Sequence, residues 1–451
     1  MSQAQADLIQ DLPADSGAEY HALVRALKRR RGFGLLFVRC SPAEGKRLIA
    51  RVREDLPQKT IDVLSLDKPI DNLYEIIHSL PNKDQLNILF ITGIEKSLVD
   101  YIKPGIGGQG DYYKLDSIPR ILGHLNLQRE RFRDNFNNCF VFLLPKFALK
   151  YFIRRAPDFF DWRSGVLEFA ASPESVQQES SLIVLEGDYE KYLSLTPQQR
   201  NQKIFEIQEL LAEDHLTLER KAKLLLEQGN LFLASNEYEE AIASYDQAIN
   251  ITPNDAYAWW SRGNALLDLG QYAEAVTSYD RTLEIKPDYH EAWYNRGIAL
   301  SQLGDYEEAI ASYDRALAIK PDKYQTWNSR GIALRQLGRY EESIDSYDHA
   351  LDIKPVDYEA WYNRGCVLCR LGHYEEAIAS WSQALAIKPD YPSAFYNTAC
   401  LYALLGNANL ALENLQQAIN LNSNKYREMA KNDSDFDRIR GEQRFQVLLN
   451  N

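Results

Sequence analysis

The residues best suited to chemistry lie in the octapeptide CSPAEGKR, residues 40–47, which follows an apolar run. A phosphate-binding loop uses glycines for a tight turn with inward N–H groups, a lysine for the β- and γ-phosphates, and a Ser or Thr hydroxyl for Mg²⁺. Gly45 and Lys46 supply one glycine and the lysine, whereas Cys40 replaces the first glycine and Arg47 replaces the hydroxyl. The octapeptide therefore predicts a degenerate phosphate loop.

A metal-dependent nucleotide hydrolase also needs a carboxylate directly after a neighbouring strand. The apolar run at residues 87–92 is followed by Gly93, and Glu95 is the nearest carboxylate. The residues predicted to bind nucleotide are Gly45, Lys46, Arg47 and Glu95. ATP or ADP is the cofactor this pattern allows, and efficient hydrolysis is not expected. The alternative is that Lys46 is merely a solvated residue in the first turn of a helix.

Three cysteines, Cys366, Cys369 and Cys400, form the other candidate reactive set. A zinc site normally needs a fourth nitrogen or sulfur ligand, and His373 is placed at a turn. We predict no metal site and interpret the thiols as small apolar packing groups. The sequence contains no recognisable Ser/His/Asp or Cys/His set, so we predict no catalytic residues.

Alternating apolar runs and helical patterns position the candidate nucleotide residues. Strands are predicted at 33–39, 61–66, 87–92, 139–144 and 165–170, with helices at 19–31, 44–56, 71–80, 117–135 and 146–155. The apolar runs are continuous rather than alternating, which is typical of parallel strands covered on both faces. We therefore expect a disordered lead at 1–18 and a three-layer α/β domain with a parallel sheet at 19–180. Ligands of such domains bind at the carboxyl ends of strands.

The second half of the chain repeats with a period of 34 residues. Three residue types keep this spacing: Gly229, Gly263, Gly297, Gly331 and Gly365; Tyr238, Tyr272, Tyr306, Tyr340 and Tyr374; Pro253, Pro287, Pro321, Pro355 and Pro389. Within each period two helical patterns flank a turn, and the proline ends the second helix. One helix pair cannot bury both of its faces, so a period of this length predicts stacked pairs in an all-α solenoid.

The segment AWYNRGIALSQLGDYEEAIASYDRALAIKPD, residues 292–322, resembles the tetratricopeptide repeat nearly throughout. The resemblance implies six repeats over residues 222–424, followed by capping helices at 425–451. Residues 181–221 are interpreted as a helical connector, with Thr196 as a helix cap and Pro197 at the first helical position. The connector helix is expected to pack on the first repeat.

In the tetratricopeptide family, fixed places on the first helix of each repeat line a concave groove that binds peptides. The matching residues here, predicted to bind a protein partner, are Tyr257, Trp260, Asn264, Tyr294, Asn295, Asn328, Arg335, Tyr362, Asn363, Arg370, Tyr396 and Asn397. Rings that pack side chains beside amides that bond a backbone suit an extended peptide. The alternative is that these aromatic rings partly pack between helices.

Two further series have opposite charge. Arginine recurs at 262, 296, 330 and 364, and aspartate recurs at 246, 280, 314 and 348. We interpret these series as an internal ladder of ion pairs between stacked repeats, each contributing ~0.2–1 kcal/mol if exposed.

The front of the chain resembles the nucleotide-binding module of signal-transducing ATPases over roughly residues 20–185. The resemblance rests on LNLQRERF at 125–132, FVFLLP at 140–145 and APDFFDWRSGVLEF at 156–169. In that bacterial family the module precedes tetratricopeptide arrays, and it acts as a switch while the repeats sense a partner. The resemblance therefore implies a nucleotide-gated switch.

Composition limits the remaining possibilities. Residues 1–171 hold 25 Lys and Arg against 21 Asp and Glu, whereas residues 172–451 hold 26 against 43. The acidic repeat half should repel nucleic acid. The polar N-terminus and the lack of a long apolar run predict neither a signal peptide nor a membrane anchor. Five scattered cysteines favour a reducing cytoplasm.

Taken together, the sequence favours an interaction scaffold. Its repeats are expected to bind a protein or peptide, and its degenerate nucleotide-binding domain is expected to serve as a second surface or a switch. The alternative is an active ATP-hydrolysing signalling ATPase that its repeats regulate. The sequence gives no indication of the oligomeric state.

Overall fold

The computed structural model describes residues 16–101, 118–169, 176–177, 180–181, 189–213 and 216–450. It contains two compact units, Met1–Pro253 and Asn254–Asn451. Most of the predicted disordered lead at 1–18 lies outside the described residues, and residues 16–18 begin the first helix.

A five-stranded parallel sheet forms the centre of the first unit, as predicted. The strands are β1 (Gly34–Arg39), β2 (Ile61–Ser65), β3 (Ile88–Thr92), β4 (Cys139–Leu144) and β5 (Gly165–Glu168). Their order is β2-β3-β4-β1-β5, and each neighbouring pair is parallel. Strand β4 is buried along its whole length, and β1 and β3 are buried at every residue except the last, because helices cover both faces.

Among the described residues, six α-helices accompany the sheet: α1 (Ser16–Arg29), α2 (Pro42–Asp55), α3 (Leu73–His78), α4 (Arg120–Asn135), α5 (Lys146–Arg155) and α6 (Pro157–Phe160). Helices α1 and α2 pack on one face, against side chains such as Val38 and Val141. Helices α3 to α6 pack on the other face, against Phe37 and Phe142. The three predicted layers are therefore present.

Further α-helices of the first unit whose bounds the described residues give are α7 (Tyr189–Ser194), α8 (Pro197–Leu211), α9 (Leu218–Ala234) and α10 (Tyr238–Ile251). Helix α8 begins with the predicted cap, since the Thr196 side chain accepts the Gln199 N–H and the Gln199 side chain accepts the Thr196 N–H. It packs on α9, as predicted, and the Arg200 guanidinium donates to Ser235 Oγ (3.1 Å). It also packs on the sheet domain, because Phe205 belongs to the core beside β4 and stacks on Phe147.

The second unit is a run of five helix pairs. The pairs are α11 (Ala256–Leu269) with α12 (Tyr272–Ile285), α13 (His290–Leu303) with α14 (Tyr306–Ile319), α15 (Tyr324–Gln336) with α16 (Tyr340–Ile353), α17 (Tyr358–Leu371) with α18 (Tyr374–Ile387), and α19 (Pro392–Leu404) with α20 (Ala408–Leu421). Each pair packs on the next within the unit. Helices α21 (Ser423–Asn432) and α22 (Gln443–Asn450) follow and bury Phe436 and Phe445 against the last pair.

The repeated glycine is explained by the repeated aromatic residue of the second helix. A Cβ atom at Gly297 would lie 2.5 Å from Cε1 of Tyr313, and one at Gly365 would lie 2.5 Å from Nε1 of Trp381. Tyr313 and Trp381 are each 2% exposed. The ring therefore occupies the space that a side chain on the first helix would fill, and the two helices of a pair lie close together.

The predicted ladder of ion pairs is present in the second unit. Nε of Arg296, Arg330 and Arg364 donates to Oδ1 of Asp280, Asp314 and Asp348 at 2.7, 2.6 and 2.6 Å respectively. Each guanidinium also donates through Nη1 to a serine hydroxyl of its own repeat: Ser312, Ser346 and Ser380. The arginines thus join consecutive helix pairs and satisfy buried hydroxyl groups.

No helix among the described residues is both long enough and apolar enough to cross a membrane.

Candidate functional site

The predicted partner-binding residues lie on the first helices of the five pairs in the second unit. In the fifth place of each first helix, four side chains are aromatic and one is an amide: Trp260, Tyr294, Asn328, Tyr362 and Tyr396. All of them except Tyr396 are half-buried. The side chains of Trp260, Tyr294, Asn328 and Tyr362 are therefore each partly accessible.

The central pair contributes two buried polar atoms that its own fold leaves unbonded. Oδ1 of Asn328 and Nε of Arg335 are both buried, and neither has a hydrogen-bond partner among the described residues. The two residues are seven positions apart on α15 and so lie on the same side of that helix. Unbonded buried polar atoms cost free energy and are rare in native folds. Together they indicate a place for an acceptor and a donor of another molecule.

Other predicted groove residues already bond within the fold. Oδ1 of Asn264 accepts from the Tyr279 hydroxyl (2.9 Å) and from Nδ2 of Asn295 (2.8 Å). Nδ2 of Asn397 donates to the Tyr362 hydroxyl (3.2 Å). These amides connect neighbouring first helices, so they stabilise the shape of the surface. Asn363 is half-buried, Arg370 is exposed, and Tyr257 is half-buried against Trp260.

The C-terminal end of the groove is covered by the capping segment. Tyr396 is only 4% exposed, and its hydroxyl donates to Oδ2 of Asp433 (2.8 Å). Cys400 donates to the same oxygen (3.6 Å), and burial followed by the charge of Asp433 raises the pKa of its thiol. The fifth pair therefore packs its aromatic residue against the cap, as the alternative interpretation of the aromatic series expected.

A second candidate site lies at the carboxyl ends of β1 and β4 in the first unit. Helix α2 leaves β1 toward one face of the sheet, and α5 leaves β4 toward the other face. Such a divergence between adjacent parallel strands opens a crevice, which is where α/β domains bind ligands. A cavity of about 250 Å³ lies there. Its lining includes Arg39, Cys40, Glu95, Phe147 and Phe169.

Of the four residues predicted to bind nucleotide, Glu95 alone lines this cavity. Helix α2 begins at Pro42 with Ser41 as its cap, so Cys40 and Ser41 are the whole connection from β1. Gly45 is buried within the first turn of the helix, and its N–H donates to the Ser41 carbonyl (2.8 Å). Lys46 and Arg47 are exposed side chains of the same helix. The assignment of nucleotide binding to these residues stays a prediction.

Two carboxyl groups with raised pKa values line the cavity. Burial raises the pKa of Glu95 to about 7, and the nearby charge of Glu206 adds to the effect, although backbone N–H groups oppose it. Burial also raises the pKa of Glu209 to about 7, against the effect of the N–H groups of Phe147 and Lys146. Oε1 of Glu209 accepts the Phe147 N–H at 3.0 Å, at the beginning of α5. Perturbed groups in a cleft are typical of functional sites.

Glu209 was not predicted, because α8 was interpreted only as a connector that packs on the first repeat. The available signal was an acidic series that begins on the same helix with Glu206 and Glu209 and continues with Glu213 just beyond its end; all three line the cavity. Gly93 was also missed as a positioning residue. It has φ of +83°, and a Cβ there would lie 2.2 Å from the Leu66 carbonyl oxygen, so only glycine fits where the chain turns toward Glu95.

The Glu209 pKa predicts a pH dependence of stability. Because the folded pKa is above the unfolded one, the native state holds more protons between pH 4.5 and 7, and the stabilisation present at low pH is lost as the pH rises through 7. Glu209→Gln keeps an acceptor for the Phe147 N–H but cannot ionise. We expect its unfolding free energy to fall less than that of the parent between pH 6 and 8, by about 1 kcal/mol. Urea unfolding followed by tryptophan fluorescence measures this difference.

Glu190→Gln, an exposed acid on α7, is the matched control and should reproduce the pH profile of the parent. Equal slopes for Glu209→Gln and the parent would show that Glu209 is ionised in the folded protein throughout this range.

Comparison with known proteins gives the same assignment for the second half of the chain. Profiles described as tetratricopeptide repeat match residues 262–324, 294–358, 346–379 and 392–425, and a profile described as TPR repeat matches residues 229–270 and 365–406. No curated protein matches the chain.

Solved structures with similarity to the chain include MamA from Desulfovibrio magneticus RS-1, with 23% identity, TM-score 0.36, and coverage of 37% of this chain and 95% of that one. YrrB, described as a TPR protein with an unusual peptide-binding site, has 25% identity, TM-score 0.37, and coverage of 42% and 97%. PilF of Pseudomonas aeruginosa has 15% identity, TM-score 0.41, and coverage of 48% and 99%. The profile matches and the stacked helix pairs together identify residues 229–425 as tetratricopeptide repeats.

Proposed function

We propose that the repeats of the second unit bind an extended segment of a protein partner, and that the chain acts as an interaction scaffold in the cytoplasm. The observation that carries the proposal is the pair of buried, unbonded atoms on α15, Oδ1 of Asn328 and Nε of Arg335. An extended peptide offers backbone N–H and C=O groups along its length, so it can supply the missing donor and acceptor.

The side chains around Asn328 support an extended ligand. Tyr294 on α13 and Tyr362 on α17 occupy the places equivalent to Asn328, and both are half-buried aromatic residues. Asparagine is smaller than the aromatic residues at the two equivalent places, and the two flanking rings can pack against peptide side chains on either side. The binding site is therefore expected to be centred on α15 and to extend over the neighbouring first helices.

The net negative charge of the repeat half limits the kind of partner that the repeats can bind. Residues 172–451 carry 26 Lys and Arg against 43 Asp and Glu, which favours a neutral or basic segment. Nucleic acid is disfavoured for the same reason. Arg335 is the basic residue of the central site around Asn328. We therefore expect the partner to present an uncharged acceptor, such as a backbone carbonyl, to the Arg335 guanidinium.

Peptides selected on the full-length protein provide a test that does not require the natural partner. We expect a random peptide library displayed on phage to yield ligands that bind the parent. The double variant Asn328→Ala, Arg335→Ala should bind these peptides at least tenfold more weakly, or by ~1.4 kcal/mol, because both buried hydrogen bonds to the peptide are lost. Fluorescence anisotropy of labelled peptides measures the dissociation constants.

Arg315→Ala is the matched control, since it removes an exposed arginine from the second helix α14. It should leave peptide affinity within twofold of the parent. Ligands that bind the double variant as tightly as the parent would place the binding surface elsewhere and refute the central site.

The sheet domain is proposed as a second surface of the scaffold. Nucleotide gating stays a prediction, and ATP hydrolysis stays the alternative. The residues assigned to nucleotide binding lie apart, with Lys46 on the exposed side of α2 and Glu95 in the cavity. We expect no Mg²⁺-dependent ATP hydrolysis that Lys46→Ala abolishes.

A further inference from the structure

The cavity at the carboxyl ends of β1 and β4 has an apolar wall and a charged wall. Phe147, Phe169 and Leu210 contribute apolar surface, and Glu95, Glu206 and Glu209 contribute carboxyl groups. Ligand sites in proteins typically combine an apolar lining with a few convergent polar groups. The volume of about 250 Å³ and this lining fit a small organic molecule.

The place in the cavity where an anion would bind is already taken by a carboxyl group of the chain. The N-terminus of a helix favours negative charge, and α5 presents its first N–H groups to the crevice. Oε1 of Glu209 accepts the Phe147 N–H there at 3.0 Å, so a carboxylate of the chain itself occupies the position. A phosphate or carboxylate ligand would have to displace Glu209 and would also face Glu206 and Glu213.

The lining of the cavity favours a positively charged ligand. Oε2 of Glu95 is buried and has no hydrogen-bond partner in the described parts of the chain. The cavity is lined by four carboxyl groups and two bases, Arg39 and Lys146. Arg39 forms an ion pair with Glu168, and its positive charge also acts on Glu209. The lining still has more carboxyl groups than bases. A buried carboxylate oxygen without a donor is costly unless a cation or a hydrogen-bond donor reaches it.

A metal ion fits this arrangement poorly. Within the described residues, the group of three His, Cys, Asp or Glu ligand atoms that all lie within 4.8 Å of one another is Cys400, Asp433 and Asp435, none of which lines the cavity. The cavity acids are thus too dispersed to supply three ligands to one ion, whereas a single ammonium group needs only one or two carboxylates around it.

We infer that this cavity binds a small organic cation, with an ammonium group that donates to Oε2 of Glu95 and an apolar body that packs on Phe147 and Phe169. The inference is independent of the peptide site, because it concerns a different set of residues in the first unit.

Three probes of similar size and different charge test the inference on the full-length protein: phenethylamine, 2-phenylethanol and phenylacetate. We expect phenethylamine to bind saturably in calorimetry with a dissociation constant below about 1 mM and to raise the melting temperature. The neutral alcohol should bind at least tenfold more weakly, because it brings no charge to Glu95. Phenylacetate should not bind measurably.

Glu95→Gln should weaken the binding of phenethylamine at least tenfold. Glu75 is an exposed acid on α3, and Glu75→Gln should leave the affinity for phenethylamine unchanged. If Glu95→Gln does not fold, Glu206→Gln gives the same test from the opposite helix, with a smaller expected loss of about threefold. Equal binding of the amine and the alcohol, tighter binding of phenylacetate or of Mg-ATP, or no saturable binding of the amine at millimolar concentration would each overturn the inference.

Discussion

Replacing Gly297 by valine should lower the unfolding free energy of the second unit by roughly 3 kcal/mol, since inserted core volume typically costs 1–3 kcal/mol and more where backbone must move. A Cβ atom at this position would lie 2.5 Å from Cε1 of Tyr313, and valine adds two methyl groups beyond it. Tyr313 is 2% exposed and cannot move into solvent without opening the helix pair. Urea unfolding monitored by far-UV circular dichroism measures the loss.

A second substitution at the same contact separates overpacking from any effect of the helix backbone. Tyr313→Leu removes the atoms that valine would strike, so Gly297→Val should cost clearly less in that background than in the parent. Gly123→Ala is the control in α4, where no atom lies within 4 Å of the added Cβ. It should be neutral or stabilising by up to ~1 kcal/mol. Costs that simply add in the double variant would show that the ring is not what excludes a side chain.

The repeats could be predicted closely because the sequence pattern that determines each helix pair is local and recurs in every repeat. The 34-residue period predicted the stacked helix pairs, whereas the contact between Gly297 and the Tyr313 ring was not predicted and comes from the structure. The arginine and aspartate series were equally informative, since residues that recur in step must meet at equivalent places. Arg330 and Asp314 are 16 residues apart and bond at 2.6 Å across two helix pairs.

The sheet was predictable for a different reason. Continuous apolar runs such as residues 139–144 can be buried only between two layers, and β4 is buried at every residue. The order of the strands does not follow from such patterns, because hydrophobicity does not record which edge a strand joins. The position of the candidate ligand cavity depends on that order, through the divergence of α2 and α5.

The chemistry at the sheet edge was beyond the sequence because it involves residues distant in the chain. The 40–47 segment has the composition of half a phosphate loop, but Ser41 caps α2 and Pro42 starts it, so the helix begins too early for Gly45 to line a loop. The group that meets the N-terminus of α5 is Glu209, more than 60 residues later. A burial-raised pKa depends on such tertiary packing and cannot be read from residue types alone.

The groove residues were predicted from their position in the repeat. In the structure, residues at equivalent positions differ in the other residues that they contact. Asn264 and Asn295 use their amides on each other, whereas Asn328 keeps a buried oxygen unbonded. Tyr396 occupies the same place in its repeat as Tyr362, but the cap covers it. Periodicity assigns equal roles to equivalent positions, and the terminal repeats deviate because their neighbours differ.

Replacing Trp381 by alanine should destabilise the C-terminal end of the array by roughly 3–5 kcal/mol, the range for truncating a buried tryptophan. Trp381 fills the place taken by tyrosine in the preceding repeats, is 2% exposed, and packs with Leu368, Ala394 and Leu401. Its Nε1 also donates to the Tyr362 carbonyl (3.2 Å), so truncation leaves a cavity and removes this second hydrogen bond to a helix carbonyl. Because Ala394 and Leu401 belong to α19, the lost contacts join the fourth helix pair of the unit to the fifth.

In an array held together by neighbour contacts, damage at one junction should be felt mainly beyond that junction. We expect hydrogen exchange of Trp381→Ala, followed by mass spectrometry, to show protection lost in α18 to α22 and largely retained in α13 to α16. Trp381→Tyr restores the ring of the other repeats and should lose much less protection. A uniform loss over the whole second unit would mean that the five pairs unfold as one cooperative block, and the groove centred on α15 would then depend on Trp381 as strongly as on its own residues.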